Sequence, residues 1–204
     1  MINKIASLRS KIAREAATLL YLGIEKEYKQ AKLKAVETLG AHFLPTNLEV
    51  ALELDRLADE TEGTARRERL AKMRKTALEV MSILGNYHPV LVGSVWRGTI
   101  RCGSDIDLAV YHDSPSEIVS LLKASGLIIS RVEKNTVTKK GKVESSVHIY
   151  VEIAGHNVEI VVRSPEEKSK RKICEIFGDE IKGLNLRELE ALLKENPHRK
   201  FIPV

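Results

Sequence analysis

The spacing of apolar residues changes near residue 88, and this change restricts the chain to folds that join helices to a sheet. Before it, apolar side chains recur every three or four residues, as in Ile5, Leu8 and Ile12, which is typical of an amphipathic helix. After it, apolar and polar residues alternate, as in Val147 to Ile153, which is typical of a half-buried strand. The sequence therefore predicts an α+β chain.

The helical N-terminal region is expected over residues 1–88. Helices are predicted over 1–40, with Gly23 as a point of interruption, over 48–58 and over 65–84, with a break at 59–63. The leucine- and alanine-rich faces of these helices suit a core within the chain. They equally suit packing on a second copy, so a homo-oligomer through the N-terminal helices is one expectation.

The remaining residues, 89–204, are expected to form a second unit with a mixed β-sheet over 89–163 and C-terminal helices over 164–204. Strands are predicted at 90–92, 106–111, 127–132, 136–138, 143–153 and 158–163. The segment Ser114-Pro115-Ser116-Glu117 has the layout of a capping box that opens a helix. Two C-terminal helices are predicted, one after Ser164 and one after Asn185.

Composition excludes several classes of protein. The two cysteines, Cys102 and Cys174, exclude a disulfide scaffold and a four-cysteine zinc site. No apolar stretch approaches the roughly 20 residues of a membrane helix, and the start lacks the layout of a signal peptide, so we expect a cytoplasmic protein without membrane spans. The net charge of +5 and the pI of about 9.1 permit a polyanionic partner without requiring one.

The segment 92–110 carries the chemistry. A predicted strand ends at Gly93-Ser94, where glycine allows a ligand close to the backbone and Ser94 can begin a short helix whose free N–H groups attract an anion. Another strand opens at Asp105-Ile106-Asp107, and residues two apart on a strand point the same way, so both carboxylates share a face. Two such charges favour a cation between them, and carboxylate oxygens suit Mg²⁺. The pattern indicates a site for phosphate and magnesium.

This pattern resembles the DNA polymerase β nucleotidyltransferase superfamily. Gly93, Ser94 and Gly98 match its first motif, with Arg97 before the second glycine, and Ser104-Asp105-Ile106-Asp107-Leu108 matches its second. The resemblance covers about residues 89–163. The whole sequence is also similar to predicted nucleotidyltransferases of archaea that have a helical N-terminal region.

The resemblance implies a third acid on a neighbouring strand, for which Glu159 is favoured and Glu152 is the alternative. Asp105, Asp107 and this acid would bind two Mg²⁺ ions, with Mn²⁺ as a substitute. The expected nucleotide-binding residues are Gly93, Ser94, Arg97, Gly98 and Ser104. The implied reaction is transfer of a nucleoside monophosphate from an NTP, with ATP or CTP favoured, to a hydroxyl of an RNA 3′ end, a protein side chain or a small molecule.

Basic residues outside this motif are candidates for nucleic-acid contact, with a solvated surface as the alternative. Those in the predicted third helix are Arg66, Arg67, Arg69 and Arg74, and those at a hairpin tip are Lys139, Lys140 and Lys142. Two other classes of function stay open: a non-catalytic nucleotide-sensing or RNA-binding module, and a scaffold that associates through its helices. Trp96 is expected in the core. His148 can face the active surface of the sheet, but a structural histidine is the favoured interpretation.

Overall fold

The computed structural model describes residues 2–139 and 142–203, with side chains except at 2–5, 137–139 and 142–143. Its fold confirms the α+β prediction: a helical N-terminal region precedes a mixed sheet. The helices are α1 (Ile2–Tyr21), α2 (Tyr28–Thr38), α3 (Asn47–Ile83), α4 (Gly93–Arg97), α5 (Pro115–Ala124) and α6 (Leu186–Glu195). The strands are β1 (Val90–Val92), β2 (Ile106–Tyr111), β3 (Ile129–Lys139), β4 (Lys142–Ile153), β5 (His156–Arg163) and β6 (Leu184–Asn185).

Helices α1 and α2 and the first half of α3 surround a small core of their own. Much of it is alanine, which lets the helix backbones approach closely. Its buried members are Ile12, Ala13, Ala16, Ala17, Leu19, Leu20, Ala31, Ala35 and Val50. This core is separate from the larger one beside the sheet.

Helix α3 passes from one core to the other. The sequence predicted two helices with a break at 59–63, and the break is confirmed at one residue: Gly63, at φ 54° and ψ −132°, is non-helical and kinks the 37-residue span into two helical halves. Thr46 begins the helix with a complete capping box to Glu49. Ion pairs connect the two halves of the helix across the break. Asp55, before Gly63, binds Arg66, after it, at 2.6 Å, and it also binds Lys200 near the C-terminus at 2.6 Å.

The sheet has the strand order β3-β4-β5-β2-β1-β6. Strands β2 and β5 are parallel, and the other neighbouring pairs are antiparallel. One face packs on α3, α5 and α6 through residues such as Leu108, Ile149 and Ile160. On the strands that carry these residues, the alternate positions point to the opposite face, and that face carries the polar residues of the predicted motif.

The expected helix after Ser164 is wrong. A short 3₁₀ helix, Pro165–Glu167, is followed by an irregular segment, residues 168–182, which we call the strap. Residues 166–172 are all polar, so a helix there would have no apolar face to bury. Helix α6 begins as predicted, with a capping box between Asn185 and Glu188. Helix α5 begins at Pro115, but no side-chain cap bond forms at Ser114.

None of the helices in residues 2–139 and 142–203 combines the length and the apolar character needed to cross a bilayer.

Candidate functional site

Three carboxylates meet on the polar face of the sheet. Asp107 on β2 lies in register with Glu159 on β5, so the two side chains are neighbours on the same face. Asp105 precedes β2 by one residue and lies two positions before Asp107, and the negative charge of each neighbour acts on Asp107. Glu152 is exposed on β4 opposite Asn157, one strand further from Asp107. The topology thus brings Glu159, rather than Glu152, beside the aspartate pair.

Asp107 is the central group of this cluster. Burial, together with the nearby negative charges of Glu159 and Asp105, raises the pKa of its carboxyl from 3.8 to about 7. A positive ion beside the cluster would reverse both effects, because it favours the charged carboxylate. The cluster is therefore deficient in positive charge.

Gly93 lies directly against the Asp107 carboxylate. Its φ of +70° is in the left-handed region, and a Cβ added there would lie 2.0 Å from Asp107 Oδ2. No other residue fits this position without moving the carboxylate. The glycine at the end of β1 is thus needed for the shape of the site, as its place in the motif indicated.

Two of the acids are held by side chains of the β4–β5 hairpin. His148 Nδ1 lies 2.7 Å from Glu159 Oε1, and its Nε2 lies 2.9 Å from Ser146 Oγ. Asn157 Nδ2 donates to Asp105 Oδ1 at 3.2 Å. The sequence allowed His148 to face this surface of the sheet but favoured a structural role, and it did not predict the contact with Glu159. The alternation in β4 was the available signal, since Ile149 and Val151 point into the core and His148 therefore points to the polar face.

Two clefts meet at Gly93. The first, which we call the Ser94 cleft, has a volume of about 220 Å³ and lies between the N-terminal helices and the sheet unit. Its polar lining includes Ser94, Ser104, Arg101 and Lys26. The second, the strap cleft, has a volume of about 520 Å³ and lies between the strap and the polar face of β1, β2 and β5. Gly93, which lies against Asp107, therefore lines both clefts, whereas none of the three acids is among the lining residues of either.

Ser94 and Ser104 are half-buried in the Ser94 cleft. The Oγ of Ser104 accepts a hydrogen bond from the backbone N–H of Arg101 at 2.9 Å, which leaves its own hydroxyl hydrogen to donate. Gly98 ends α4 at φ +75° and is packed against the Arg199 carbonyl, so it serves the turn of the chain.

Arg97 lines the Ser94 cleft, but its guanidinium is engaged by other parts of the protein. Its guanidinium is buried, binds Asp179 of the strap through two nitrogens at 2.6 and 3.1 Å, and donates to the Phe201 carbonyl at 2.9 Å. It also lies over the ring of Phe177, another strap residue, at 4.3 Å. Because these contacts occupy the fork, Arg97 anchors the strap between the two clefts. The adjacent Trp96 is buried in the core.

Two arginines of the basic run of α3 are buried rather than exposed to a partner. Arg66 is buried and binds Asp55, Asp59 and the carbonyl of Ile100. Arg74 is fully buried and donates to the carbonyls of Val95, Trp96, Pro197 and Arg199.

These contacts exclude Arg66 and Arg74 from a nucleic-acid surface. Arg69 is paired with Glu62, and Arg67 is exposed. Lys140 and the side chains of Lys139 and Lys142 lie outside the described residues.

A protein-family model described as "Nucleotidyltransferase domain" matches residues 73–182. The chain belongs to this family. The match supports the polymerase β-type nucleotidyltransferase superfamily, and it includes β1, β2, β5, all three acids and the strap. It begins inside α3, whose second half packs in the core of the sheet, while the boundary at residue 88 stays a prediction. No curated protein matches the sequence.

A nucleotidyltransferase domain implies transferase activity in general and binding of an NTP.

Proposed function

We propose that this nucleotidyltransferase moves a nucleoside monophosphate from an NTP to a hydroxyl acceptor in a Mg²⁺-dependent reaction. The observation that supports this most strongly is the in-register pairing of Asp107 with Glu159, beside Asp105 and against a glycine that leaves no room for a Cβ. This arrangement provides three acidic residues beside Gly93, the residue that lines both clefts.

The donor set fits a divalent cation. Nucleotidyltransferase domains usually use such ions, and Mg²⁺ prefers carboxylate oxygens with room left for water and phosphate. Asp105, Asp107 and Glu159 would hold two Mg²⁺ ions, or Mn²⁺ in their place. Among the described residues, no three His, Cys, Asp or Glu side chains are already arranged to hold a metal ion. Glu159 instead contacts His148, and Asp105 accepts a hydrogen bond from Asn157. Bound Mg²⁺ would neutralise phosphate charge and lower the pKa of the acceptor hydroxyl.

The Ser94 cleft is the proposed place of the triphosphate tail. The hydroxyls of Ser94 and Ser104 can donate to phosphate oxygens, and the cationic side chains of Arg101 and Lys26 balance their charge. Arg101 would take the role that the motif suggested for Arg97. One Arg101 nitrogen donates to the Leu20 carbonyl, whereas the Arg97 guanidinium is bound to both Asp179 and the Phe201 carbonyl.

The other cleft would admit the acceptor from the side of Glu159. The hydroxyl oxygen of the acceptor would form a bond to the α-phosphorus of the NTP. The bond between the α-phosphorus and the pyrophosphate oxygen would break, and pyrophosphate would leave. Glu159 would either help to hold an ion or take the hydroxyl proton. In the latter role His148 Nδ1 would hold the receiving carboxylate in place.

The test incubates the protein with each α-labelled NTP, ATP and CTP first, and Mg²⁺, with RNA or protein extract as acceptor. We expect label transfer by the wild type and its loss in Asp105→Asn/Asp107→Asn. The control is Asp113→Asn, an exposed aspartate beyond the end of β2, which should transfer label normally. Transfer that persists in the double variant would refute the proposal. NTP binding without transfer in the wild type would favour a non-catalytic nucleotide sensor.

A further inference from the structure

The strap cleft is the larger cavity beside the acids and has a basic lining. Its floor includes Val92, Ala109 and Tyr111, which lie on the same face of the sheet as Asp107. Its wall is the strap, and its described cationic side chains are Arg163, Lys168, Lys170, Arg171, Lys172 and Lys182. Glu180 is the one carboxylate among the described lining residues. A cavity of this size and charge suits an anionic ligand.

Part of this positive charge is neutralised within the protein. Lys170 pairs with Glu144 at 3.0 Å, and Arg171 pairs with Glu180 at 3.1 Å. These two cations are therefore committed to surface ion pairs, which contribute little on their own.

The remaining cations are in excess over the acids. Arg163 and Lys172 share a single buried carboxylate, Glu167, at 3.3 and 3.2 Å. Burial, together with the charge of Arg163, lowers the pKa of Lys172. Lys168 and Lys182 are exposed, and neither forms an ion pair with another residue in the described ranges. Positive charge thus remains at the depth of the cleft and at its rim.

We propose that the strap cleft binds the phosphate backbone of a single-stranded nucleic acid and presents its 3′ hydroxyl to the acid cluster. The inference rests on the proposed function and names its acceptor: the 3′ oxygen bonds to the α-phosphorus and pyrophosphate leaves.

The position of the cations favours a strand over a small phosphorylated acceptor. They come from both ends of the strap and from β5, so they are distributed along the cleft rather than gathered around one point. Successive phosphates of a backbone match such a distribution, and the cleft is open at the rim, where Lys168 and Lys182 lie. The triphosphate has its own donors in the Ser94 cleft, on the other side of Gly93.

The test compares two double variants that lose the same net charge. Lys168→Gln/Lys182→Gln removes the free cations of the strap cleft, and Lys75→Gln/Lys123→Gln removes exposed lysines of α3 and α5. Each is titrated with labelled single-stranded RNA, and with DNA of the same sequence, over a range of salt concentrations by fluorescence anisotropy. We expect the strap variant to bind about tenfold more weakly with a shallower salt dependence, and the control to bind as the wild type does.

Equal effects of the two double variants would overturn the inference, as would unaltered binding in both or no binding by the wild type. NTP binding by calorimetry is measured on the same samples. Loss of NTP binding in the strap variant would also overturn it, because the cleft would then hold the donor. If strand binding fails while Asp105→Asn/Asp107→Asn still abolishes transfer to another acceptor, the proposed function survives without this inference. A difference between the affinities for RNA and for DNA would identify which of the two nucleic acids the strap cleft prefers.

Discussion

Substitution of Gly93 by alanine should stop catalysis while leaving the fold largely intact. The backbone cost is that of a left-handed residue with a side chain, about 1–2 kcal/mol at φ +70°. The new Cβ would lie 2.0 Å from Asp107 Oδ2, whereas ordinary contact begins at 3.4 Å. The carboxylate must therefore move by more than an ångström. A displacement of that size at reacting groups costs about 10²-fold in rate.

The matched control is Gly126→Ala. Gly126 has a similar φ of +80°, but a Cβ there has nothing within 4 Å. Both variants should lose similar backbone stability, and Gly126→Ala should keep its activity. Urea unfolding measures the stability of each variant, and label transfer from NTP measures kcat.

A metal titration separates the effect of backbone strain from that of a displaced Asp107 carboxylate. Gly93→Ala should also bind Mn²⁺ more weakly in an electron paramagnetic resonance titration, because Asp107 is displaced. If the rates of Gly93→Ala and Gly126→Ala agree within a few-fold, contact between Gly93 and the carboxylate has no bearing on the chemistry and the reasoning fails.

Three other predictions concern the buried charges. In metal-free buffer, urea unfolding should find Asp107→Asn more stable than the wild type at about pH 8 and equal to it at about pH 4. The pKa of Asp107 is raised in the folded protein, so its ionisation lowers the stability of the wild type by up to about 4 kcal/mol as the pH rises from 3.8 to about 7. A stability difference that stays constant across pH would contradict this. His148→Ala should lower Mn²⁺ affinity or kcat by about tenfold, with partial recovery in His148→Asn, because Glu159 loses its 2.7 Å partner; unaltered values in both would refute the role. Arg74→Met should destabilise by at least about 3 kcal/mol because four carbonyls lose their donor, whereas exposed Arg67→Met should alter stability by less than about 0.5 kcal/mol; similar unfolding curves would count against the burial argument.

The acid cluster could be predicted because its geometry is local. Asp105 and Asp107 are two residues apart at the start of one strand, and a strand places such residues on one face. The partner strand of Glu159 followed from the family resemblance rather than from spacing. The alternation of β4 located the polar face but did not show that His148 reaches Glu159, which depends on the register of β4 with β5.

The arginines could not be assigned from sequence because their partners are remote along the chain. Arg74 bonds to carbonyls 21 to 125 residues away, and Arg97 bonds to Asp179, 82 residues away. A run of charges in a helix gives no sign of such contacts. The capping signal at Ser164 predicts a helix over the strap, but residues 166–172 have no apolar face to bury, so the strap is irregular.

Gly63 determines the angle between the two halves of helix α3. The 16 residues between Asn47 and Gly63 form an arm about 24 Å long at 1.5 Å per residue, so a turn of 10° at the glycine would carry the far end about 4 Å. That end belongs to the helical core that forms one wall of the Ser94 cleft, while the opposite wall belongs to the sheet. The backbone angles of this one residue therefore determine the distance between the two walls of the Ser94 cleft, the proposed place of the triphosphate.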